Sequence, residues 1–380
     1  MKRNLFITGS LLAVGALFAG VYVVVFKNNP SNPVADERKR VESKQEEAKQ
    51  FSQNASGETV STVIDSPTVG ATILDENHIA YFADRQLKRT SLGGGGEEVL
   101  LSDLPGEVLD AIWSPDRERV LALMGTGSER KWFLVVPSEK TATPLKAGIT
   151  SPVWSNLSER IFYSYADSKS GKAELDSAKP DGTDWKRVAT MDEPSSFLST
   201  VPSTAIISYW NKPSAFEATS LYTVSASGGT PKKIFSEKFG ADYLWSPDGT
   251  KVLISNTLSK GGTETRLGIA NRDGGEFKTL QAPTITSKAV WSKDAKTVYY
   301  ALPLSIPDHA VLPNDYFGRP IHTQDSFWKM DVASGKSDRI IEPDRIDGSY
   351  DSFRPFLGPD ERYLYFTDRV SGKLHRISLK

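Results

Sequence analysis

The strongest constraint on how this chain can fold is a short word that it writes several times. Trp-Ser and two further residues occur as Trp113-Ser114-Pro115-Asp116, Trp154-Ser155-Asn156-Leu157, Trp245-Ser246-Pro247-Asp248 and Trp291-Ser292-Lys293-Asp294. A short apolar run follows each, reading "RVLALM", "RIFYSY", "KVLISN" and "TVYYAL". Self-similarity at a fixed period has to be weighed before any local feature, because a unit that cannot bury both its faces must stack on its neighbours.

Weaker copies align by their strands. "LGPDERYLYFTD" places Leu357 at the Trp position, "LSTVPSTAIISY" places Leu198 there, and "TILDENHIAYFAD" places Thr72 there. The seven starts at 72, 113, 154, 198, 245, 291 and 357 are spaced from 41 residues (72 to 113) to 66 (291 to 357). After each start comes an alternating strand, a Gly-containing turn and another strand, as in "LYTVSASGGTPKKI" and "LGIANRDGGEFKTL". Four short strands in a unit of about 46 residues, carrying a Trp signature, is the pattern of a β-propeller blade. The predicted fold class is all-β, a seven-bladed propeller of four-stranded antiparallel blades over 57–380.

The word has mechanical work to do. Ser-Pro-Asp-Gly suits a type I turn, with Ser at the first position, Pro fixing φ at the second and Gly at the fourth. Trp113, Trp154, Trp245 and Trp291, ending the inner strands, are predicted to wedge between blades. Asp116, Asp248, Asp294 and Asp360, and Asp273 likewise, are read as carboxylates that cap turn amides rather than as catalysts. The last blade runs out of chain after "KLHRISLK", so "GETVSTVI" at Gly57–Ile64 is predicted to supply its outer strand and close the ring.

Trp-Ser-Pro-Asp-Gly followed by "KVLIS" and "LYTVSASGGTPKKI" resembles the TolB-type propeller repeat, over about Gly57–Lys380. That repeat occurs in periplasmic TolB proteins and in the propeller domains of some prolyl-peptidase-like hydrolases. The resemblance implies the fold. It carries no binding residues across, because the matching motifs are structural turns. The chain departs from TolB in having no room for the extra amino-terminal domain.

The amino terminus is a different material. Leu5–Phe26 has no charge and, at about 1.5 Å per residue, just covers a hydrocarbon core of roughly 30 Å. Its length and its bulky Val-Val-Val-Phe end favour an uncleaved anchor over a signal peptide. The expected organisation is a cytoplasmic tail (1–4), a transmembrane helix (5–26), a polar stalk (27–56), partly helical, and the propeller outside the membrane, periplasmic or at the cell surface. Val34, Val41 and Ala48 repeat every seven residues, but Lys44 at the intervening core position favours a spacer helix over a coiled coil.

Composition removes several functions. With 46 Lys plus Arg against 47 Asp plus Glu there is no basic field for nucleic acid. Zero Cys excludes thiol catalysis, thiolate metal sites and disulfides. His78, His309, His322 and His375 lack zinc-site spacing, and no Gly-x-Ser-x-Gly elbow occurs. Gly93–Gly96 lacks the Lys-Ser/Thr of a phosphate loop and is read as a turn. No metal or cofactor is expected.

One segment breaks the repeat. Leu302–Asp325, "LPLSIPDHAVLPNDYFGRPIHTQD", falls between the second and third strands of the sixth blade and is predicted to be an ordered loop packed over the ring. It is either a lid filling the channel mouth or a recognition surface, with Tyr316, Phe317, Arg319 and His322 as candidate binding residues. The equivalent loop of the fourth blade, Ser208–Ser220, adds Trp210 and Phe216. The leading expectation is a non-enzymatic, membrane-anchored scaffold that binds a protein or glycan partner in the cell envelope. The competing one is a lyase or hydrolase at the channel mouth, using Asp, Glu, Arg or His from different blades.

Overall fold

A computed structural model describes residues 60–379, apart from 127–128, 167–172, 192–196 and 319–320. The tail, apolar segment and stalk expected over 1–56 lie outside the described residues. None of the described helices is long and apolar enough to cross a membrane.

The described strands form seven four-stranded antiparallel sheets. The blades are β2–β5 (Val69–Leu101), β6–β9 (Glu107–Pro144), β10–β13 (Ile149–Met191), β14–β17 (Phe197–Phe239), β18–β21 (Asp242–Thr279) and β22–β25 (Ala289–Arg339). The seventh joins β26 (Ser352–Leu357), β27 (Tyr363–Asp368) and β28 (Leu374–Ser378) to β1 (Val60–Ile64). β1 pairs antiparallel with β28, Val60 opposite Ile377, so the amino-terminal strand closes the ring as the truncated last repeat requires.

The first strand of each blade stands at one edge of its sheet, and first strands lie against one another between blades one and two, two and three, three and four, and six and seven. The second strands are covered on both faces, which explains why they are continuous apolar runs rather than alternating ones. In β3 (His78–Ala83), for example, the five residues after His78 are all buried.

The Trp word works as a stitch. Trp113 Nε1 donates to Gly70 O of the preceding blade at 2.8 Å, and Trp154 Nε1 to Ile112 O at 2.8 Å. Trp245 Nε1 reaches Ser208 Oγ at 2.8 Å, and Trp291 Nε1 reaches Leu244 O at 3.2 Å. The turn behind it is held by its carboxylate. Asp248 Oδ1 accepts from Ser246 Oγ at 2.6 Å and Thr250 N at 3.1 Å, and Asp116 and Asp294 repeat the pattern. Asp360 caps Arg362 N at 3.0 Å. The fourth turn position is left-handed throughout: Gly249 has φ +65°, and Arg117, Ser158, Ala295 and Glu361 lie between +55° and +64°. At Gly249 a Cβ would stand 2.0 Å from Pro202 O, so only glycine fits there.

Two alignments of weak repeats shift. Trp113, Trp154, Trp245, Trp291 and Leu357 each pair with the residue seven positions on. In the fourth blade Val201, pairing with Ile206, holds that place instead of Leu198, and in the first Ile73, pairing with Ile79, holds it instead of Thr72. Their turns are shorter by two residues and one, which moves the strand ends relative to the apolar pattern. Gly93–Gly96 forms the turn between β4 (Gln86–Ser91) and β5 (Glu98–Leu101), as read.

His375 gives the closing blade a pH dependence. It is buried, with ring centroids 4.8 Å from Tyr350 and 5.5 Å from Phe366, and its Nδ1 lies 3.3 Å from Thr62 Oγ1 on β1. Burial pushes its pKa below 6.5, so the fold holds the neutral imidazole. The unfolded chain takes up the proton first on acidification. The stabilisation is therefore complete above about pH 6.5 and is lost as the pH falls through the folded pKa. Thermal melts between about pH 5 and 8 are expected to show a Tm decline on the acid side that is shallower in His375→Gln; equal slopes would refute the assignment.

Candidate functional site

The segment between β23 (Thr297–Pro303) and β24 (Asp325–Asp331) contains one short helix, α1 (Asn314–Gly318), and lies on the rim where the inner strands begin. The described part of this lid is an ordered loop packed over the ring, as expected. Its described contacts reach blades four to seven. Toward blade four, Asn314 Oδ1 accepts Ala215 N at 2.7 Å and its amide donates to Ser214 Oγ at 3.4 Å. At the head of blade five, Gly240 (φ +62°) lets Pro313 pass where a Cβ would meet Pro313 Cδ at 2.7 Å. Leu312 and Tyr316 pack with Ile285 in a small apolar cluster.

Beneath the lid is a buried charged group. Lys288, just before β22 (Ala289–Trp291), is 1% exposed, and its Nζ donates to Asp325 Oδ2 and Asp351 Oδ1, each at 2.6 Å. Thr323 Oγ1 at 2.9 Å and Ser352 O at 3.0 Å complete its surroundings. Asp351 stands immediately before β26, and Asp325 begins β24. Tyr316 Oη donates to Asp351 Oδ1 at 2.7 Å, and Thr323 Oγ1 donates to this cluster of carboxylates, 2.8 Å from Asp325 Oδ1 and 3.0 Å from Asp351 Oδ1. Ser352 N donates to Asp325 Oδ2 at 2.8 Å.

Charge decides why such a group can exist. Two carboxylates around one ammonium would leave a net negative interior, and a buried unpaired charge is costly. Arg369, from the β27–β28 turn, supplies a second cation, its Nη1 3.9 Å from Asp351 Oδ2 and donating to Ile321 O at 2.8 Å, while the neighbouring Asp368 carboxylate is held by Asp351 N and Ser371 N. Arg369 Nη2 donates to Tyr316 O, and the guanidinium sits 4.2 Å from the Tyr316 ring centroid. Burial still holds the Asp325 carboxyl above the usual carboxylate range, with Lys288 pulling it partway back. Burial and the Asp351 charge push the Tyr316 hydroxyl up, so it remains a donor.

A second buried carboxylate stands on the same rim. Asp242, at the start of β18 (Asp242–Trp245), accepts from Trp210 Nε1 at 3.0 Å and Thr286 Oγ1 at 2.6 Å. Burial raises its pKa.

The candidate residues divide accordingly. Tyr316 and Trp210 are buried and brace the rim from within. Phe317, 44% exposed, and Phe216, 51% exposed, face outward on the lid and on the blade-four loop. His322 is half exposed, with Nδ1 3.9 Å from Asp351 Oδ2. Arg319 lies outside the described residues. Sequence reading missed Lys288, Asp325, Asp351 and Arg369. The available signal was a charged residue at the head of an inner strand, three positions before the Trp in both Asp242–Trp245 and Lys288–Trp291.

No family model and no curated protein matches this chain. Solved structures do. An oligogalacturonate lyase in complex with manganese matches at 13% identity and TM-score 0.58, over 85% of this chain and 90% of that one. The oligogalacturonate lyase of Vibrio parahaemolyticus gives 11% and 0.57, over 84% and 91%. TolB from Acinetobacter baumannii gives 14% and 0.47, over 74% and 63%. The fold implied by the TolB-type repeat is the fold present.

The expectation of a binding scaffold is corrected here, because the solved structures that share this fold include two lyases. Both lyases are propeller enzymes, and the mouth of this ring gathers charged groups from blades six and seven where a plain plug would be apolar. Among the described residues no three His, Cys, Asp or Glu groups are placed to hold a metal ion.

Proposed function

We propose that the chain is a membrane-anchored propeller enzyme, a lyase or hydrolase, that holds its reacting bond at the lidded mouth of the ring. The observation that carries this reading is the pairing of half-exposed His322 with fully buried Asp351 at 3.9 Å. A solvent-facing imidazole backed by a carboxylate can take a proton from water or from carbon, while the carboxylate steadies the imidazolium that forms. Asp351 suits that part because Tyr316 and Lys288 fix it in place. Arg369, with 22% of its side chain exposed beside the same carboxylate, is placed to meet negative charge that develops on a substrate. Exposed Phe317 offers an apolar face next to it.

The charge-free segment 5–26 supports an anchor that leaves the propeller outside the membrane. The solved lyases sharing this fold act, by their name, on oligogalacturonate, which makes an acidic oligosaccharide the first substrate class to try. The test is turnover by the purified full-length chain on oligogalacturonates, uncharged oligosaccharides, aryl esters and peptides. Elimination is read by ultraviolet absorbance and hydrolysis by new reducing ends or free acid. Turnover of one class is expected; no turnover across the panel would overturn the reading.

A further inference from the structure

We propose that Arg354 and Asp110 form a carboxylate-binding seat inside the channel, just below the mouth. Arg354 belongs to the inner strand of blade seven and Asp110 to that of blade two, with blade one between them in the ring. Side chains from non-adjacent blades meet only across the axis. Here the guanidinium grips the carboxylate with both prongs, Nη1 to Oδ1 and Nη2 to Oδ2 at 3.2 Å. That two-pronged grip is the geometry in which arginine takes any carboxylate.

The backbone is shaped to present this pair. Register shifts interrupt the inner strands of blades seven, one, two and three, at Phe353/Phe356, Val69/Thr72, Val108/Asp110 and Thr150/Val153. The described inner strands of blades four, five and six pair without a shift. Bulges re-aim side chains, and these four occupy consecutive blades. Arg354 and Ser151, each followed by proline, adopt φ +47°, a left-handed conformation unfavourable for a residue with a side chain. Blade one presents Gly70 at its own bulge, where a Cβ would stand 2.4 Å from Ala111 Cβ.

The pair is open to exchange. More than half of the Arg354 side chain, 56%, is exposed, against 26% for Asp110. Solvent reaches the guanidinium, so a ligand carboxylate offering the same two-pronged geometry can exchange with Asp110 on Arg354. Asp110 keeps Ala111 N as a donor at 2.9 Å when it lets go, and its freed oxygen can accept a ligand hydroxyl. The seat thus fits a small polyhydroxy carboxylate. As the place where such a substrate is held, it rests on the enzyme reading above; as a binding site it is measured without turnover.

The probe is D-galacturonate, with D-galactose as its uncharged twin, titrated into the full-length chain by calorimetry. Galacturonate is expected to bind and galactose not. Affinity should fall at least about tenfold in Arg354→Gln and rise in Asp110→Asn, which removes the competing carboxylate. Circular dichroism confirms that each variant is folded. Undiminished binding in Arg354→Gln, or no galacturonate binding by both the natural chain and Asp110→Asn, would overturn the proposal. Binding that follows this pattern in a chain without turnover would uphold the seat and count against the enzyme reading alone.

Discussion

Replacing Lys288 by Met is expected to cost on the order of 3–5 kcal/mol of folding stability, the magnitude for removing one partner of a buried charge cluster. Met matches the stem in length and volume, so the loss isolates the charge. Among the described residues Lys288 is the single cation within hydrogen-bond reach of both Asp325 and Asp351, and both carboxylates are buried. The sign of the pH dependence follows. Without Lys288 the Asp325 carboxyl, already raised by burial, rises further above its unfolded value of 3.8. A raised acid is stabilising where it is protonated. The deficit of Lys288→Met should therefore shrink as the pH falls and be largest above neutrality. Adding Asp351→Asn should recover part of it by removing one of the two stranded charges. Denaturant unfolding at several pH values measures all three; a deficit under about 1 kcal/mol, or one that grows on acidification, would show that the cluster does not act as a charge lock.

Trp245→Ala is expected to cost a comparable 3–5 kcal/mol, for a different reason. The ring is 5% exposed and packs with Val201, Tyr243, Val252 and Ile254 between blades four and five. Truncation leaves a cavity at the seam between the two blades, and deprives Ser208 Oγ of its donor at 2.8 Å. Trp245→Phe retains most of the volume and loses the hydrogen bond, so it should cost about 1 kcal/mol plus a smaller packing loss. The two variants thus separate wedge from stitch. Equal stabilities for both variants would mean that the volume at this seam does not matter, and a Trp245→Phe as stable as the natural chain would mean that the bond does not. Unlike the lysine variant, neither removes a charge, and the Tyr243 hydroxyl packed there is pushed up by burial and stays protonated, so neither deficit should change between about pH 5 and 8.

The ring was readable because its signature is local. Turn residues, the Trp and the following strand fall within about a dozen positions, and each obeys chemistry that neighbouring residues decide. Where the Trp was missing the reading drifted, by three residues at Leu198 and one at Thr72, since an apolar strand alone does not mark its own end. The lid was legible as an interruption of the period. What lies under it was not, because Lys288, Asp325 and Asp351 come from three strand heads and meet only after the ring has closed. Tyr316 and Trp210, candidate binding residues by their loops, are buried, and Asp351 and Asp242 give their polar atoms partners inside. His322 could be named from its place in the lid, but not its carboxylate, which is supplied by the next blade.

Removing the His322 imidazole tests the central claim most directly. With a substrate from the turnover panel in hand, His322→Ala should lose about 10²–10⁴ in kcat, the range for a positioned general acid or base. Its melting temperature should stay near that of the natural chain, as expected for a half-exposed side chain. Added imidazole should restore part of the rate, a recovery that a merely structural loss would not show. A kcat within about twofold of the natural chain would contradict chemistry at the mouth.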